Sequence, residues 1–199
     1  MKKVGIYGGT FSPPHIGHVE AARAFVNSVE LDELIIIPTF TPPHKAYSGE
    51  VSAEDRLRMC ELAFSEIAKT AVSDLEIRRG GKSYTYLTLE ELTAAGVELY
   101  LLCGTDMFVT LDEWRNAERI FELAHICYLR RENDPHAEAL IEQKKERYIS
   151  EYSAKITAIS HDVIEVSSTE LRDVISSGRI SELIPKAVFE FIEMRGLYR

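Results

Sequence analysis

The chain lacks any continuous apolar run of the roughly 20 residues that would be needed to cross a bilayer. It opens with no basic, apolar, small-residue leader, since its first apolar residues run straight into Gly8-Gly9. The expectation is a cytoplasmic protein with no membrane partner. Cysteine is scarce, at Cys60, Cys103 and Cys127 only, with no CxxC pair. That excludes a disulfide framework and a cysteine-based zinc site, and the apolar neighbours of each thiol point to burial in the core. Positive charge is in deficit: 23 Lys and Arg against 32 Asp and Glu give a net charge of −9. Non-specific nucleic-acid binding, which needs a basic face, is therefore not expected. Neither an internal repeat, a low-complexity tract nor an interdomain linker is visible. Residues 1–199 are read as one domain, long enough to hold its own core. Tryptophan occurs once, at Trp114.

What is present is an alternation of apolar strand-like runs and helical patterns. Strands are expected over 3–7, 34–37, 70–77, 97–102, 124–129, 156–159 and 163–166. Helices are expected over 16–29, from Ser52 to Ile67, and over 85–92, 106–111, 116–123, 136–152, 168–176 and 185–194. The helix opened by Ser52 should bury Leu57, Cys60, Leu62, Ala63 and Ile67. Glu138 to Arg147 should be a solvated face. Repeated strand–helix–strand order implies an α/β fold: a doubly wound, Rossmann-like parallel sheet with helices on both faces. Such sheets bind ligands at the carboxyl ends of their strands.

The densest motif closes the first strand: Gly8-Gly9-Thr10-Phe11-Ser12-Pro13-Pro14-His15-Ile16-Gly17-His18. A strand, a glycine-rich turn and a helix start make a place for phosphate, because the first N–H groups of the helix are free and its dipole favours negative charge. His15 and His18, three apart, fall side by side on one face and can donate to phosphate oxygens without moving a proton. A second strand-to-helix motif, Val166-Ser167-Ser168-Thr169-Glu170-Leu171-Arg172, offers hydroxyl and backbone donors and, one turn on, a guanidinium fork. Its plainer reading is a helix cap beside a surface arginine. Pro42-Pro43-His44-Lys45 is a stiff loop presenting a point charge. In Gly81-Lys82-Ser83-Tyr84-Thr85, Ser83 or Thr85 can cap the helix that follows. Gly104-Thr105-Asp106 sets an acid at a helix start, either to accept from a ribose hydroxyl or to cap.

Taken together these runs resemble the bacterial nicotinate-nucleotide adenylyltransferases of the HxGH nucleotidyltransferase superfamily. Gly9 to His18 is similar to the GTFDPxHxGH signature, with Ser12 where that family usually has Asp. Residues 42–45 match its PPHK loop, 81–89 its SYTxxTL segment, and Gly104 to Trp114 its GxD…LxxW pattern. Val166 to Arg172 matches its ISSTxIR motif with two apolar exchanges. Arg130-Arg131 resembles an arginine that follows a strand in the family, although the usual Pro-Gly after it is Glu132-Asn133 here. The resemblance implies transfer of the adenylyl group of ATP to nicotinate mononucleotide, giving deamido-NAD and pyrophosphate in NAD biosynthesis. It implies His15, His18, Lys45 and Arg172 as the catalytic set. It places ATP at Gly8, Gly9, Thr10, Phe11, His15, Gly17, His18, Gly104, Asp106, Ser167, Ser168, Thr169 and Arg172. It places the mononucleotide at Thr39, His44, Lys45, Tyr84, Thr85, Trp114 and Arg131, with Trp114 stacked on the nicotinate ring.

Mg²⁺ is expected to be carried by the ATP phosphates, because no carboxylate cluster stands at the motif, and no residue is assigned as a protein metal ligand. Alternatives are an adenylyltransferase for nicotinamide mononucleotide or another phosphate acceptor, and a non-catalytic ATP-binding module. The oligomeric state stays open in the sequence, a homo-oligomer included.

Overall fold

The computed structural model describes residues 1–43, 51–130, 135–160, 164, 166–177, 179 and 182–199. Its elements, in chain order, are β1 (Lys2–Gly9), α1 (Ile16–Val29), β2 (Glu33–Pro38), α2 (Ala53–Phe64), β3 (Thr70–Val72), α3 (Leu75–Arg79), α4 (Thr85–Leu92) and β4 (Val97–Cys103). There follow α5 (Thr105–Phe108), a 3₁₀ turn (Leu111–Glu113), α6 (Ala117–Leu123), β5 (Ala124–Arg130), α7 (Pro135–Tyr152), β6 (Ile156–Ser160), α8 (Ser168–Ser176) and α9 (Lys186–Arg195). The strands form one sheet in the order β3-β2-β1-β4-β5-β6, with every neighbouring pair parallel. The chain winds outward from β1 to β3, returns to β4 beside β1, and winds the other way. The doubly wound expectation holds.

Period-two alternation sorts the strand side chains onto two covered faces, as a parallel sheet requires. Tyr7, Leu34, Ile36, Tyr100 and Leu102 join one core with α1, α2, α8 and α9. Val4, Ile6, Ile37, Leu99, Leu101 and Ile126 join the other with α4, α5, α6 and α7. A Cβ on Gly5 would stand 2.4 Å from Leu31 and 2.9 Å from Phe25. The missing side chain is what lets α1 and the turn after it lie close on β1. All three cysteines are free and buried, and burial pushes the Cys127 thiol up to about 12.

Several sequence expectations need correction. The strand expected over 70–77 stops at Val72, and Leu75–Arg79 is a helix. Ser73 Oγ accepts from Leu75 N (3.3 Å), and Asp74 takes Arg78 twice, through its carbonyl (2.8 Å) and its carboxylate (2.9 Å). Local side-chain bonds of this kind compete with the ladder and turn the chain. The helix expected over 106–111 ends at Phe108 and is followed by the 3₁₀ turn. The stripe on α2 is shifted: Arg56, Met59, Cys60, Ala63 and Phe64 are buried on the helix, while Leu57 and Leu62 are only half-buried. The strand expected at 163–166 falls partly outside the described residues; Ile164 and Val166, which are described, belong to no strand.

The face of α7 is not wholly solvated either. Lys144 Nζ lies 2.8 Å from Asp112 Oδ1 and Arg147 Nη1 lies 2.7 Å from Asp112 Oδ2, while the Tyr148 hydroxyl donates to Asp112 Oδ1 at 2.9 Å. This knot holds the 3₁₀ turn, and with it the approach to Trp114, against α7. Burial works against the Asp112 charge. The bonds from Lys144 and Tyr148 and the charge of Lys144 outweigh it and hold the carboxyl below its usual range. A carboxylate with a depressed folded pKa stabilises the fold above the ordinary carboxylate range and loses that contribution as pH falls below about 4. Asp112→Asn is expected to cost about 2 kcal/mol at pH 7. In urea titrations the gap from the parent protein should close at acid pH. A gap that persists undiminished at pH 3 would mean the charge is not what holds the turn.

Candidate active site

A cavity opens at the carboxyl ends of β1 and β4, where strand order reverses. Its lining includes Gly8, Gly9 and Thr10 after β1, Thr39, Pro42 and Pro43 after β2, Cys103 at the end of β4, and Trp114. It also includes Glu76 on α3 and Ser83, Thr85 and Thr88 around α4. Beyond Thr10 the same loop runs to the start of α1.

There His15 is the N-cap, in extended conformation. His18 N donates to His15 Nδ1 (3.4 Å) and His15 N donates to His18 Nδ1 (3.2 Å). The two imidazoles thus form a reciprocal capping box and stack with centroids 3.6 Å apart. Both Nδ1 atoms are acceptors, which puts each ring proton on Nε2. Each ring is left with one donor facing away from its own helix. Burial pushes His15 down to about 4, and burial together with the neighbouring His15 holds His18 well below the ordinary histidine value. Gly17 makes room for this arrangement: a Cβ there would lie 3.1 Å from His15 Nδ1 and 3.2 Å from Val166.

The carboxyl-terminal motif lands on the same loop. Arg172 Nη1 donates to the Ser12 carbonyl (2.8 Å) and Ser168 Oγ to the Pro13 carbonyl (3.0 Å), across 160 and 155 residues. Ser167 is the N-cap of α8, and its hydroxyl and N–H both engage Glu170. The capping reading thus holds for Ser167. Thr169 Oγ1 accepts from Arg172 Nη2 at 3.0 Å. The motif is first a clasp on the loop, and α8 adds its N-terminal dipole to that of α1 on one side of the crevice.

The other sequence-expected residues divide. Thr39 lines the cavity with a buried hydroxyl that has no hydrogen-bond partner among the described residues. Thr85 lines it from the first turn of α4, and no side chain caps that helix, so the expected cap is absent. Ser83 Oγ instead accepts from Phe40 N at 2.9 Å, tying the loop after β2 to the approach to α4. Tyr84 turns to Arg115, whose guanidinium sits 5.0 Å from its ring centroid. Gly104 caps α5 and Asp106 is exposed on its first turn. Phe11, 2% exposed, packs its ring against Tyr7, Phe64 and His18, leaving only its backbone for a ligand. His44, Lys45 and Arg131 lie outside the described residues.

A model of the cytidylyltransferase-like family matches residues 6–174. A protein of Lachnoclostridium phytofermentans described as a probable nicotinate-nucleotide adenylyltransferase is 37% identical over 201 residues, with 100% of both chains covered. One of Desulfatibacillum aliphaticivorans with the same description is 36% identical, covering 98% of this chain and 99% of the relative. The chain belongs to the nicotinate-nucleotide adenylyltransferase family. A structure of the Plasmodium falciparum nicotinic acid mononucleotide adenylyltransferase complexed with NaAD shares the fold, with a TM-score of 0.76 at 17% identity over 100% of this chain and 98% of that one.

Some residues of this adenylyltransferase fold's site carry no sequence signal of their own. Arg56, fully buried, donates to the Thr10 carbonyl (2.9 Å) and the Phe40 carbonyl (3.1 Å), joining the first loop to the second. Tyr198, near the chain's end, meets Ser12 Oγ through its hydroxyl at 3.0 Å. The burial of Arg56 could have been found from its phase, since it lies three before Met59 and four before Cys60 on the apolar side of α2.

Because His15 and His18 are held neutral, neither imidazole should titrate between pH 8 and 5.5, whereas an ordinary histidine changes charge near 6.5. Histidine NMR should show both rings as Nε2–H tautomers across that range, His15 taking a second proton only near about 4. The sign for stability follows. Depressed folded pKa values mean that the unfolded chain binds more protons below 6.5, so acidification through that window should weaken the fold. A ring titrating near 6.5 would contradict the capping arrangement.

Proposed function

We propose that this chain transfers the adenylyl group of ATP to nicotinate mononucleotide, giving deamido-NAD and pyrophosphate. The observation that carries the reading is the meeting of two unlike sites on one crevice. At one end a pair of neutral Nε2–H imidazoles crowns a helix start. At the other a largely apolar cavity holds Trp114, the free hydroxyl of Thr39 and the uncapped first turn of α4. The first suits phosphate. The second suits a flat ring bearing an anionic group, which the N–H groups of α4 would receive. The names of the relatives and the ATP-analogue and product complexes of the Plasmodium enzyme agree with that pairing.

The chemistry needs no general base, since the mononucleotide phosphate is ionised near neutral pH. One of its oxygens attacks the α-phosphorus of ATP in line. A P–O bond forms, the bond to the bridging oxygen breaks, and pyrophosphate leaves with the electron pair. His15 and His18 hold oxygens of the reacting phosphate through Nε2–H, and as neutral donors they lose no proton. Arg172, and Lys45 on the PPHK loop, neutralise charge growing on the leaving group. Mg²⁺ carried on the triphosphate would supply charge neutralisation there.

Pyrophosphate release from ATP and Mg²⁺, with nicotinate and nicotinamide mononucleotides compared, tests the reading. Release should be faster with the acid. His18→Ala and His15→Ala should each lower kcat by about 10²–10³, as loss of an oxyanion donor does. Faster release with the amide would move the acceptor assignment. ATP binding with no release from either would favour a non-catalytic module.

A further inference from the structure

Residues 75–77 fold against their own pattern. Leu-Glu-Ile reads as apolar, polar, apolar, yet Leu75 and Ile77 are half-buried while Glu76 is only 5% exposed. Glu76 Oε1 accepts from Thr88 Oγ1 at 2.5 Å. Oε2 is buried, has no hydrogen-bond partner among the described residues, and belongs to a side chain lining the cavity. A buried carboxylate oxygen without a partner is costly, which points to a ligand as its complement. Arg79 pairs with Glu76 and donates to Thr88 Oγ1 at 2.9 Å, but offsets the charge only in part. Its Nη2 stands 3.7 Å from Oε1, and its Nη1 is 2.8 Å from Glu91. One guanidinium shared by two carboxylates leaves the group net negative. Among the described lining residues Glu76 is the only charged one; the rest are apolar, sulfur-bearing, glycine or hydroxyl, with Trp114 for a ring face.

An apolar slot with an aromatic face and one buried negative charge complements a flat cation. We propose that Glu76 is a specificity-determining residue whose carboxylate is the counter-charge to the pyridinium ring of the mononucleotide. This rests on the adenylyl-transfer reading given above. The ring nitrogen is positive in both the acid and the amide, so Glu76 selects the ring, and the choice between acid and amide is left to the N–H groups of α4. A purely structural role, tying α3 to α4 through Thr88, is the competing account, and two substitutions separate them. Glu76→Gln keeps the size and an acceptor for Thr88 but removes the charge. Thr88→Val removes the tie and keeps the charge.

The experiment compares kcat/KM, by pyrophosphate release, for nicotinate mononucleotide and for its analogue with a neutral benzene-3-carboxylate ring on the same ribose 5′-phosphate. The parent protein should favour the pyridinium substrate. Glu76→Gln should lower that preference about tenfold, through KM of the pyridinium substrate, as loss of one partly shielded charge pair would. The neutral analogue should change less than about twofold. Thr88→Val should lower both substrates in parallel. A preference unmoved by Glu76→Gln, or a parallel fall of both substrates, overturns the counter-charge role. Loss confined to nicotinamide mononucleotide would make Oε2 an amide acceptor instead, and overturns it too. Quenching of Trp114, the only tryptophan, by N-methylnicotinate against benzoate reads the same ratio without turnover. If the parent protein releases no pyrophosphate, the adenylyl-transfer reading fails by itself. The quenching ratio then still supports Glu76 as a ring-charge selector if it falls about tenfold in Glu76→Gln, and refutes it if it does not.

Discussion

The site depends on a clasp between the two ends of the chain. The loop after β1 must hold His15 at the head of α1 while keeping Gly8 to Thr10 open to the cavity, and it has no strand neighbours of its own over Ser12 and Pro13. Arg172 and Ser168 supply what the sheet does not, taking the carbonyls of those two residues at 2.8 and 3.0 Å. Arg56 holds Thr10 from the other side and Tyr198 meets Ser12. A loop pinned at three successive points by side chains from α2, α8 and the carboxyl-terminal tail loses most of its freedom before any ligand arrives. That preorganisation is what positional catalysis needs when no proton is moved. It also gives Ser12 a use: a carboxylate in its place would face the same tyrosine and lie beside the guanidinium that now bonds the backbone, whereas serine leaves that guanidinium less fully neutralised.

Neutral histidines follow from the same economy of protons. Two imidazoles stacked at 3.6 Å could not both be charged without repulsion. Each Nδ1 is committed to the other's backbone N–H, so each ring presents a fixed donor at Nε2. A charged pair would attract phosphate more strongly, but it would have to break the cap that orients it. The positive potential comes instead from helix dipoles and guanidinium groups, which do not titrate near neutral pH. The chain as a whole carries a net charge of −9, so any attraction for polyanions has to come from such local groups and not from its overall charge.

Much of this was legible in the sequence, for a physical reason. Where a backbone feature demands particular residues, the demand shows: Gly8-Gly9 at a strand end, His15 and His18 three apart, Ser167 with Glu170 at a cap. The helices 16–29, 85–92 and 168–176 match the sequence reading to the residue, and side-chain caps at His15 and Ser167 mark the starts of the first and the last. What stayed hidden were residues whose role is set by distant partners. Arg56 and Tyr198 bond backbone or hydroxyl groups tens to hundreds of residues away, and no local pattern announces that. Ser83, one of two residues that could cap α4, does not do so for the same reason, since Phe40 N claims its hydroxyl.

Residues 70–77 show the limit most sharply. The pattern over 70–77 predicts a strand. Ser73 and Asp74 break the ladder, and the short helix that follows turns Glu76 inward and leaves Leu75 and Ile77 at the margin. A fold selected for stability alone would place the leucine inside, because a buried carboxylate oxygen without a partner is a standing cost. The inversion occurs on the wall of the cavity, beside Thr85 and Thr88 of the helix whose first turn no side chain caps. The departure from the local pattern is thus itself a signal: the segment in which the hydrophobic pattern predicts the wrong face is the segment that lines the cavity.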